Sequence, residues 1–415
     1  MREEFPFTAC FFIALVLKYR VEAYLHNRQM KHLKDGVGTI PAPFEDRITL
    51  DEHKKASEYN LAHLGANRAF SIVSLTILLL WTMAGGLEKL NQFVVSFSLS
   101  TFWTEMVFIA LFSLISTILK LPEDLYNTFV IEEKFGFNRM TTSLFIKDFF
   151  KSLALSALIG FPMIAGLLWF MQTTGKFWWL WAFTFTASVQ VLLLWLYPVL
   201  IAPLFNKFFP LDEGELKERL KALLVRAGFK SKGLFVMDAS KRSAHGNAYF
   251  TGFGKNKRVV LFDTLLLNLA PIEVEAVLAH ELGHFKKKHT LKNMALFLIV
   301  GFFAFAIMGL LSELELFYKG HGISSMVPYM TLVFFALILP IYSFPLVPLF
   351  SNLSRKMEFE ADHFAKEMMG EGNSLGDALL KTYKDNSSPL SSDEKYSSFY
   401  YSHPPIGERL RALQD

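Results

Sequence analysis

Long apolar runs alternate with charged segments along the chain, and most of them approach the ~20 residues that cross a bilayer as a helix. The first run, 5–17, extends toward Ala23 without a small-residue cleavage site, which favours a retained helix over a signal peptide. Six further spans are predicted at 69–86, 102–119, 152–172, 177–200, 293–311 and 327–350. The pattern therefore predicts seven transmembrane helices.

The longest polar stretch between spans, 202–292, has the pattern of a folded domain. A helical pattern at 213–227 precedes three β-rich runs, which predict a small antiparallel sheet at 234–237, 248–250 and 259–262. A second helical pattern follows the sheet. In the polar segment after the last span, the Ser- and Lys-rich stretch 386–398 is the nearest to a mobile linker.

These elements divide the chain into four parts. The first, 1–200, holds spans one to five and their loops, and 201–292 is the loop with the sheet and the second helix. Spans six and seven occupy 293–350, and 351–415 is the polar C-terminal segment.

Composition supports the membrane interpretation. Hydrophobic residues make up 52% of the 415 residues, and 43 residues are Phe, which excludes an ordinary soluble protein. We expect a mainly α, multi-pass membrane protein whose first partner is the lipid bilayer. The net charge is only +4, without a basic stripe interleaved with aromatics, so nucleic acid is not an expected partner. Cys10 is the sole cysteine, which excludes an internal disulfide and a cysteine-rich metal site; we expect it to pack in its apolar run.

Basic residues are distributed unevenly between the loops. The first, third and fifth loops and the tail are basic, whereas the alternate loops hold only Lys89, Lys176 and Lys319. By the positive-inside rule, the N-terminus lies outside, and the long loop and the C-terminus are cytoplasmic. The compact loops favour a bacterial inner membrane over an endoplasmic reticulum membrane.

The segment with the most specific chemistry is 275–289, EAVLAHELGHFKKKH. His280, Glu281 and His284 form the pattern H-E-x-x-H, and on a helix the two histidines lie one turn apart on one face, where they can bind one zinc ion. Acidic residues before the motif and lysines after it match the helix dipole. Glu281 lies beside the two histidines on the same predicted helix.

Two histidines leave a catalytic zinc site incomplete, because such a site usually has three protein ligands and one open position. Beyond the last span, the helical pattern at 355–365 places Glu358 and Asp362 one turn apart on one face. We predict that Glu358 is the third ligand. Asp362 is predicted to accept a hydrogen bond from a ligand histidine and so to orient its ring.

Three other candidate ligands are predicted to lie on helix faces that do not point toward the metal. Glu360 and His363 lie on a different side of their helix from Glu358 and Asp362. His289 comes five residues after the second histidine, which is about 500° around a regular helix. We therefore expect all three side chains to be exposed to solvent.

Four further motifs extend the pattern, namely EEKFGFNR at 132–139, PLFNKF at 203–208, SAHGNAYF at 243–250 and SHPPIGER at 402–409. With the zinc motif, they make the chain resemble the type I CAAX prenyl proteases, integral-membrane zinc metallopeptidases of the gluzincin class. The resemblance covers essentially the whole chain, including seven spans in the same layout. One departure is Glu360, where the family commonly has glutamine.

The resemblance implies hydrolysis of peptide bonds near the C-terminus of peptides or proteins that can be prenylated at a CAAX motif. It implies one zinc per chain and a large chamber between the membrane helices. By matching position, it assigns zinc ligands at His280, His284 and Glu358, the base at Glu281, and the orienting carboxylate at Asp362. It also assigns oxyanion-stabilising cleft residues at His403 and Arg409, and a substrate-binding edge strand at His245, Asn247 and Ala248.

Two alternatives stay open at this point. One is a quality-control zinc protease of the heat-shock-induced HtpX type, although such chains are shorter and have fewer spans. The other is a membrane receptor or transporter in which the zinc is structural, although such sites usually have four protein ligands, often including cysteine. The oligomeric state is left open.

Overall fold

The computed structural model describes residues 3–42, 44–229, 233–251 and 258–414. The parts of the predicted 201–292 loop at 230–232 and 252–257, and positions 1, 2 and 415 of the terminal segments, lie outside the described residues. Helices dominate the described parts. They are α1 Phe5–Gly36, α2 Leu50–Trp81, α3 Gly86–Val95, α4 Thr101–Tyr126, α5 Glu133–Phe135, α6 Thr142–Thr173, α7 Trp178–Leu196, α8 Ala202–Phe205, α9 Glu215–Arg226, α10 Asp263–Asn268, α11 Pro271–Lys286, α12 His289–Leu311, α13 Glu315–Gly320, α14 Pro328–Tyr342, α15 Val347–Met369, α16 Asn373–Asp385, α17 Glu394–Tyr400 and α18 Ile406–Gln414.

Several of these helices are long and apolar enough to cross a membrane, which confirms a mainly α, multi-pass membrane protein. Within the described residues, five helices qualify, namely Leu50–Trp81, Thr101–Phe135, Thr142–Thr173, Gly175–Phe205 and His289–Leu311. A sixth span results if α14 and α15, which are bent by 46° where they meet, count together. The predicted number of seven spans is not confirmed. The first helix, α1, falls short because its apolar run ends at Lys18 although the helix has 32 residues.

The sheet that precedes α11 differs from the predicted antiparallel sheet. It has four strands in the order β1-β2-β4-β3, formed by β1 Phe208–Pro210, β2 Leu234–Met237, β3 Ala248–Thr251 and β4 Arg258–Phe262. β2 and β4 pair in parallel, while β1 and β3 pair antiparallel to their neighbours. The three predicted strands are present, but the sheet is mixed. β3 forms one edge of the sheet among the described strands.

The helix α11 lies at the centre of the polar domain. Pro271 occupies its first turn, and the Glu273 carboxylate accepts a hydrogen bond from the backbone N–H of Ala270 at 2.7 Å, which satisfies one free amide of the helix start. Apolar side chains on several faces of α11, including Val274 and Leu278, are buried in one core with strands β2 to β4. α11 is therefore held rigidly.

A close approach of two helices fixes the position of α15 against α11. A Cβ atom added to Gly283 would lie 2.8 Å from Cα and 3.0 Å from the carbonyl oxygen of Ala361. Only glycine allows this separation, since carbon atoms normally approach to about 3.5–4.0 Å. Gly283 thus sets how closely α15 packs on α11.

A sharp turn joins α11 to the membrane helix α12. Lys288 adopts the left-handed conformation at φ 59° and ψ 34°, and α12 begins at the next residue, His289. The turn redirects the chain, so that residues after Lys286 do not continue the α11 spiral. This geometry determines where His289 lies.

Two minor expectations are wrong. The stretch 386–398 is not a mobile linker, because it packs against α1. The Asp393 carboxylate accepts two hydrogen bonds from Arg28, at 3.0 Å and 2.8 Å, and the backbone N–H of Asp393 donates to Oε1 of Gln29 at 2.8 Å. Cys10 is exposed on the surface of its helix rather than packed in the core.

Candidate metal centre

Three side chains converge on one point between α11 and α15. The Nε2 atoms of His280 and His284 lie 3.1 Å apart, because one helical turn separates them. The Glu358 carboxylate reaches them from α15, with oxygens 3.4 Å from Nε2 of His280 and 3.3 Å from Nε2 of His284. One ligand atom of each residue lies within 4.8 Å of the others. The structure therefore brings together all three predicted ligands.

The second ring nitrogen of His280, Nδ1, contacts a carboxylate that is itself paired with an arginine. Its Nδ1 lies 2.8 Å from Oδ1 of Asp362, and Arg409 donates to both oxygens of that carboxylate, at 2.8 Å from Nε and 2.6 Å from Nη2. Arg409 is only 4% exposed. Asp362 thus occupies its predicted place, whereas Arg409 lies behind the ligands rather than in an open cleft. Its guanidinium orients Asp362 through a bidentate pair.

The second nitrogen of His284 has a different partner. Its Nδ1 lies 3.0 Å from Nδ1 of His289, whose Nε2 lies 3.0 Å from Oε2 of Glu360. His289 is 2% exposed, so the expectation of a solvated side chain is wrong. The extrapolation at about 100° per residue failed because the helix ends at Lys286. The sequence contains a single sign of this contact, namely a histidine that follows the H-E-x-x-H motif after a run of lysines.

The two remaining off-face candidates are exposed, as expected. Glu360 and His363 both lie on the outside of α15. Glu360 nevertheless contacts buried His289 of another helix at 3.0 Å, while Nε2 of His363 lies 3.2 Å from Oε1 of Glu367, one turn along the same helix. Glu360 therefore pairs with a buried histidine, whereas Glu367 pairs with an exposed one.

Glu281 and His403 face the open side of the cluster. Both line a cavity of about 760 Å³ together with His284 and His289, and the remaining wall is largely apolar, from α6, α7 and α12. Burial raises the pKa of Glu281 above its ordinary value. The His403 side chain is 61% exposed, and its Nδ1 lies 2.8 Å from Oε2 of Glu358. A base and a hydrogen-bond donor thus share one cavity beside the three converging groups.

The donor set fits a metal ion. Because carboxylates accept hydrogen bonds only, Asp362 requires a proton on Nδ1 of His280, which leaves the lone pair of Nε2 directed at Glu358. Oε2 of Glu358 is buried, and although Nδ1 of His403 lies 2.8 Å away, no described residue makes a hydrogen bond of correct geometry to it. A cation between these converging lone pairs, all within 4.8 Å of one another, would satisfy them at once. Two imidazoles and one carboxylate, with an open fourth side, suit a catalytic zinc.

The three residues of the predicted substrate strand each contact other parts of the protein or a neighbouring residue. The His245 ring lies between Oε2 of Glu132 at 3.2 Å and Oδ1 of Asn386 at 3.1 Å, which anchors the entry to β3. Asn247 is exposed, and its side chain accepts from the N–H of Ala248 at 2.8 Å. Ala248 pairs with Leu261 of β4. Within the described strands, the outer side of β3 is left without a strand neighbour.

Comparison with known proteins shows which chains this protein is similar to. Residues 29–207 match the model of the CAAX prenyl protease N-terminal region with five membrane helices, and 210–415 match peptidase family M48. A rice protein named CAAX prenyl protease 1 homolog is 36% identical, over 99% of this chain and 98% of its own length. The yeast CAAX prenyl protease 1 is 35% identical over 96% of this chain and 93% of its own length.

A solved structure extends the similarity to the fold. The crystal structure of S. mikatae Ste24p superimposes with a TM-score of 0.90 at 33% identity, covering 98% of this chain and 99% of that one. These matches support the membrane metallopeptidase interpretation over an HtpX-type protease and over a receptor with structural zinc. The chain belongs to the M48 metallopeptidases of the CAAX prenyl protease 1 family.

Proposed function

We propose that this protein binds one zinc ion per chain and cleaves peptide bonds near the C-terminus of substrates prenylated at a CAAX motif. The observation that carries the proposal is the cavity of about 760 Å³, in which Glu281, His284 and His403 meet a largely apolar wall. Polar chemistry and an apolar surface in one space suit a peptide that carries a lipid. The names of the relatives from rice and yeast point to the same substrate class.

In this proposal, His280, His284 and Glu358 hold the zinc. When bound, zinc supplies Lewis-acid activation of a water molecule and of the scissile carbonyl. The Glu281 carboxylate removes a proton from the attacking water and later delivers it to the leaving amine. His403 is placed to donate a hydrogen bond to the oxyanion that develops on the carbonyl. Arg409 acts through Asp362, by fixing the ring of His280.

Substrate binding uses the free edge of β3 in this proposal. A peptide that adds to the outer side of residues 248–251 gains main-chain hydrogen bonds without demanding a particular side chain. Asn247 lies exposed at the start of that edge and is available to the substrate backbone. His245 holds the edge in place through Glu132 and Asn386.

The test compares the purified wild type with Glu281→Gln, using a farnesylated CAAX peptide and the same peptide without the lipid. We expect about one zinc per chain in both proteins. Only the wild type should cleave, and it should prefer the farnesylated peptide. Glu367→Gln, on the exposed side of α15, is the matched control and should cleave like the wild type. Cleavage by Glu281→Gln at the wild-type rate would refute the role of the base, and equal cleavage of both peptides would refute lipid recognition.

We further propose that the catalytic domain and the C-terminus face the cytoplasm, that the N-terminus lies outside, and that the four-part division of the chain holds. The bacterial inner membrane stays our predicted compartment, to be tested by fractionation of the source cells against endoplasmic reticulum markers. For orientation, Cys10→Ser gives a cysteine-free chain. A single cysteine replacing exposed Lys176 or Lys319 should react with an impermeant thiol reagent from outside, whereas one at Lys221 should not. The reverse labelling pattern would invert the orientation.

A further inference from the structure

We propose that His289 and Glu360 are positioning residues that fix the tautomer and orientation of the ligand His284. The inference rests on the zinc site of the proposed function and deepens it. The two ligand histidines are supported unequally. Asp362 contacts Nδ1 of His280 directly at 2.8 Å, whereas Nδ1 of His284 contacts the imidazole of His289, at 3.0 Å.

The direction of each hydrogen bond follows from Glu360, the last of the three residues in contact. Glu360 is a carboxylate and accepts only, so Nε2 of His289 donates to it across 3.0 Å. A neutral His289 then carries its lone pair on Nδ1. That lone pair accepts the N–H of His284 Nδ1. The proton of His284 is thereby placed on Nδ1, and its Nε2 is left free for the metal.

We call the series of contacts from His284 through His289 to Glu360 the relay. The turn before α12 and the position of α15 bring its three residues together. The left-handed turn at Lys288 starts α12 at His289 and buries its ring against His284, with 2% of the residue exposed. α15 supplies both the ligand Glu358 and, two residues later, the relay end Glu360. Nζ of Lys292, about one turn after His289 on α12, lies 3.5 Å from Oε2 of Glu360, the same oxygen that Nε2 of His289 contacts. Three helices therefore meet at the relay.

Substitutions that mimic one ring nitrogen at a time test the relay. An Asn amide places its oxygen near the position of imidazole Nδ1, while a Gln amide reaches the position of Nε2. His289→Asn therefore retains an acceptor for His284, but His289→Gln and His289→Ala do not. Similarly, Glu360→Gln retains an acceptor for His289, and Glu360→Ala does not.

The measurements are zinc affinity by competition with a chelator and the visible spectrum of the cobalt(II)-substituted protein, followed by kcat and KM. Loss of a partner behind a metal ligand typically weakens metal binding or activity about 10–100-fold. We expect that loss for His289→Ala and His289→Gln, with an altered cobalt spectrum and a lowered kcat at similar KM. His289→Asn should recover most of the affinity. Glu360→Ala should weaken zinc binding, and Glu360→Gln should remain close to the wild type.

A second histidine and carboxylate on α15 provide the matched control. His363 and Glu367 form an exposed pair at 3.2 Å that is remote from the ligand nitrogens, so His363→Ala and Glu367→Ala should bind zinc like the wild type. Glu360 is also on the surface, and its variants are expected to fold even if a change at buried His289 impairs folding.

The outcomes separate this inference from the proposed function. Wild-type zinc affinity and an unchanged cobalt spectrum in folded Glu360→Ala or His289→Ala would overturn the relay, as would equal behaviour of His289→Asn and His289→Gln. If the wild type binds zinc and these variants lose it, but no protein cleaves the farnesylated peptide, the relay stands and the proposed substrate fails. A wild-type protein without zinc affinity would overturn both.

Discussion

Replacing Gly283 by alanine tests whether the packing of α15 on α11 controls the chemistry. The added Cβ would lie 2.8 Å from Cα, 3.0 Å from the carbonyl oxygen and 3.2 Å from Cβ of Ala361. All three atoms belong to the backbone or the root of the side chain, so no flexible group can move aside. The whole helix segment must retreat, and it carries the ligand Glu358 and the orienting Asp362.

The expected size of the effect follows from these distances. Normal carbon contacts of about 3.5–4.0 Å require a displacement of α15 of roughly 1 Å. Overpacking of this kind costs about 1–3 kcal/mol, but alanine gains about 1 kcal/mol over glycine inside a helix. The net destabilisation is therefore about 0–2 kcal/mol. Catalysis suffers more, because a displacement of about 1 Å at a reacting centre costs on the order of 10²-fold in rate.

The assay measures zinc content, thermal stability and kcat/KM for the farnesylated peptide. Gly65→Ala is the control, since a Cβ at that helical position meets nothing within 4 Å. We expect Gly283→Ala to fold, to bind zinc more weakly and to lose about 10²-fold in kcat/KM, whereas Gly65→Ala stays near the wild type. Full activity and zinc affinity in Gly283→Ala would refute the reasoning.

Three further predictions concern single contacts. Arg409→Lys keeps the charge but makes only one hydrogen bond to Asp362, so we expect kcat to fall about 10–100-fold with KM little changed; an unchanged kcat would contradict the orienting role. Lys288→Gly relieves the left-handed conformation at φ 59° and should raise the free energy of unfolding by about 0.5–1 kcal/mol in chemical denaturation, and a decrease would contradict the strain. Dialysis against a chelator should abolish cleavage by the wild type, and added zinc should restore it; activity that survives complete zinc removal would exclude a metal-dependent reaction.

The sequence predicted the zinc ligands because their placement depends on local geometry. His280 and His284 are one turn apart on a single helix, and so are Glu358 and Asp362, so the periodicity of 3.6 residues was sufficient. The convergence of the two pairs could be assumed from the chemistry of a catalytic zinc. The structure brings them together as expected.

The features that the sequence did not predict depend on contacts between distant segments of the chain. His289 was misplaced because the turn at Lys288 ends the regular spiral. The parallel pairing of β2 and β4 depends on the chain path between them, which alternation of side chains does not encode. Burial of Arg409 behind Asp362 likewise depends on how α18 packs on α15. The predicted seven spans are not confirmed because α1 mixes an apolar start with a charged continuation.

The helix α15 has a mechanical consequence, since it runs from the bend after α14 directly to Glu358 and Asp362. Its first residues, Val347 to Phe350, follow a membrane helix across a 46° bend, and its later turns complete the metal centre. A bilayer thicker or thinner than the helices require changes their tilt. Because α15 continues as one helix from that bend to Glu358, such a tilt would also move the third candidate ligand. We therefore expect turnover in reconstituted vesicles to depend on acyl-chain length, and equal rates across chain lengths would contradict this coupling.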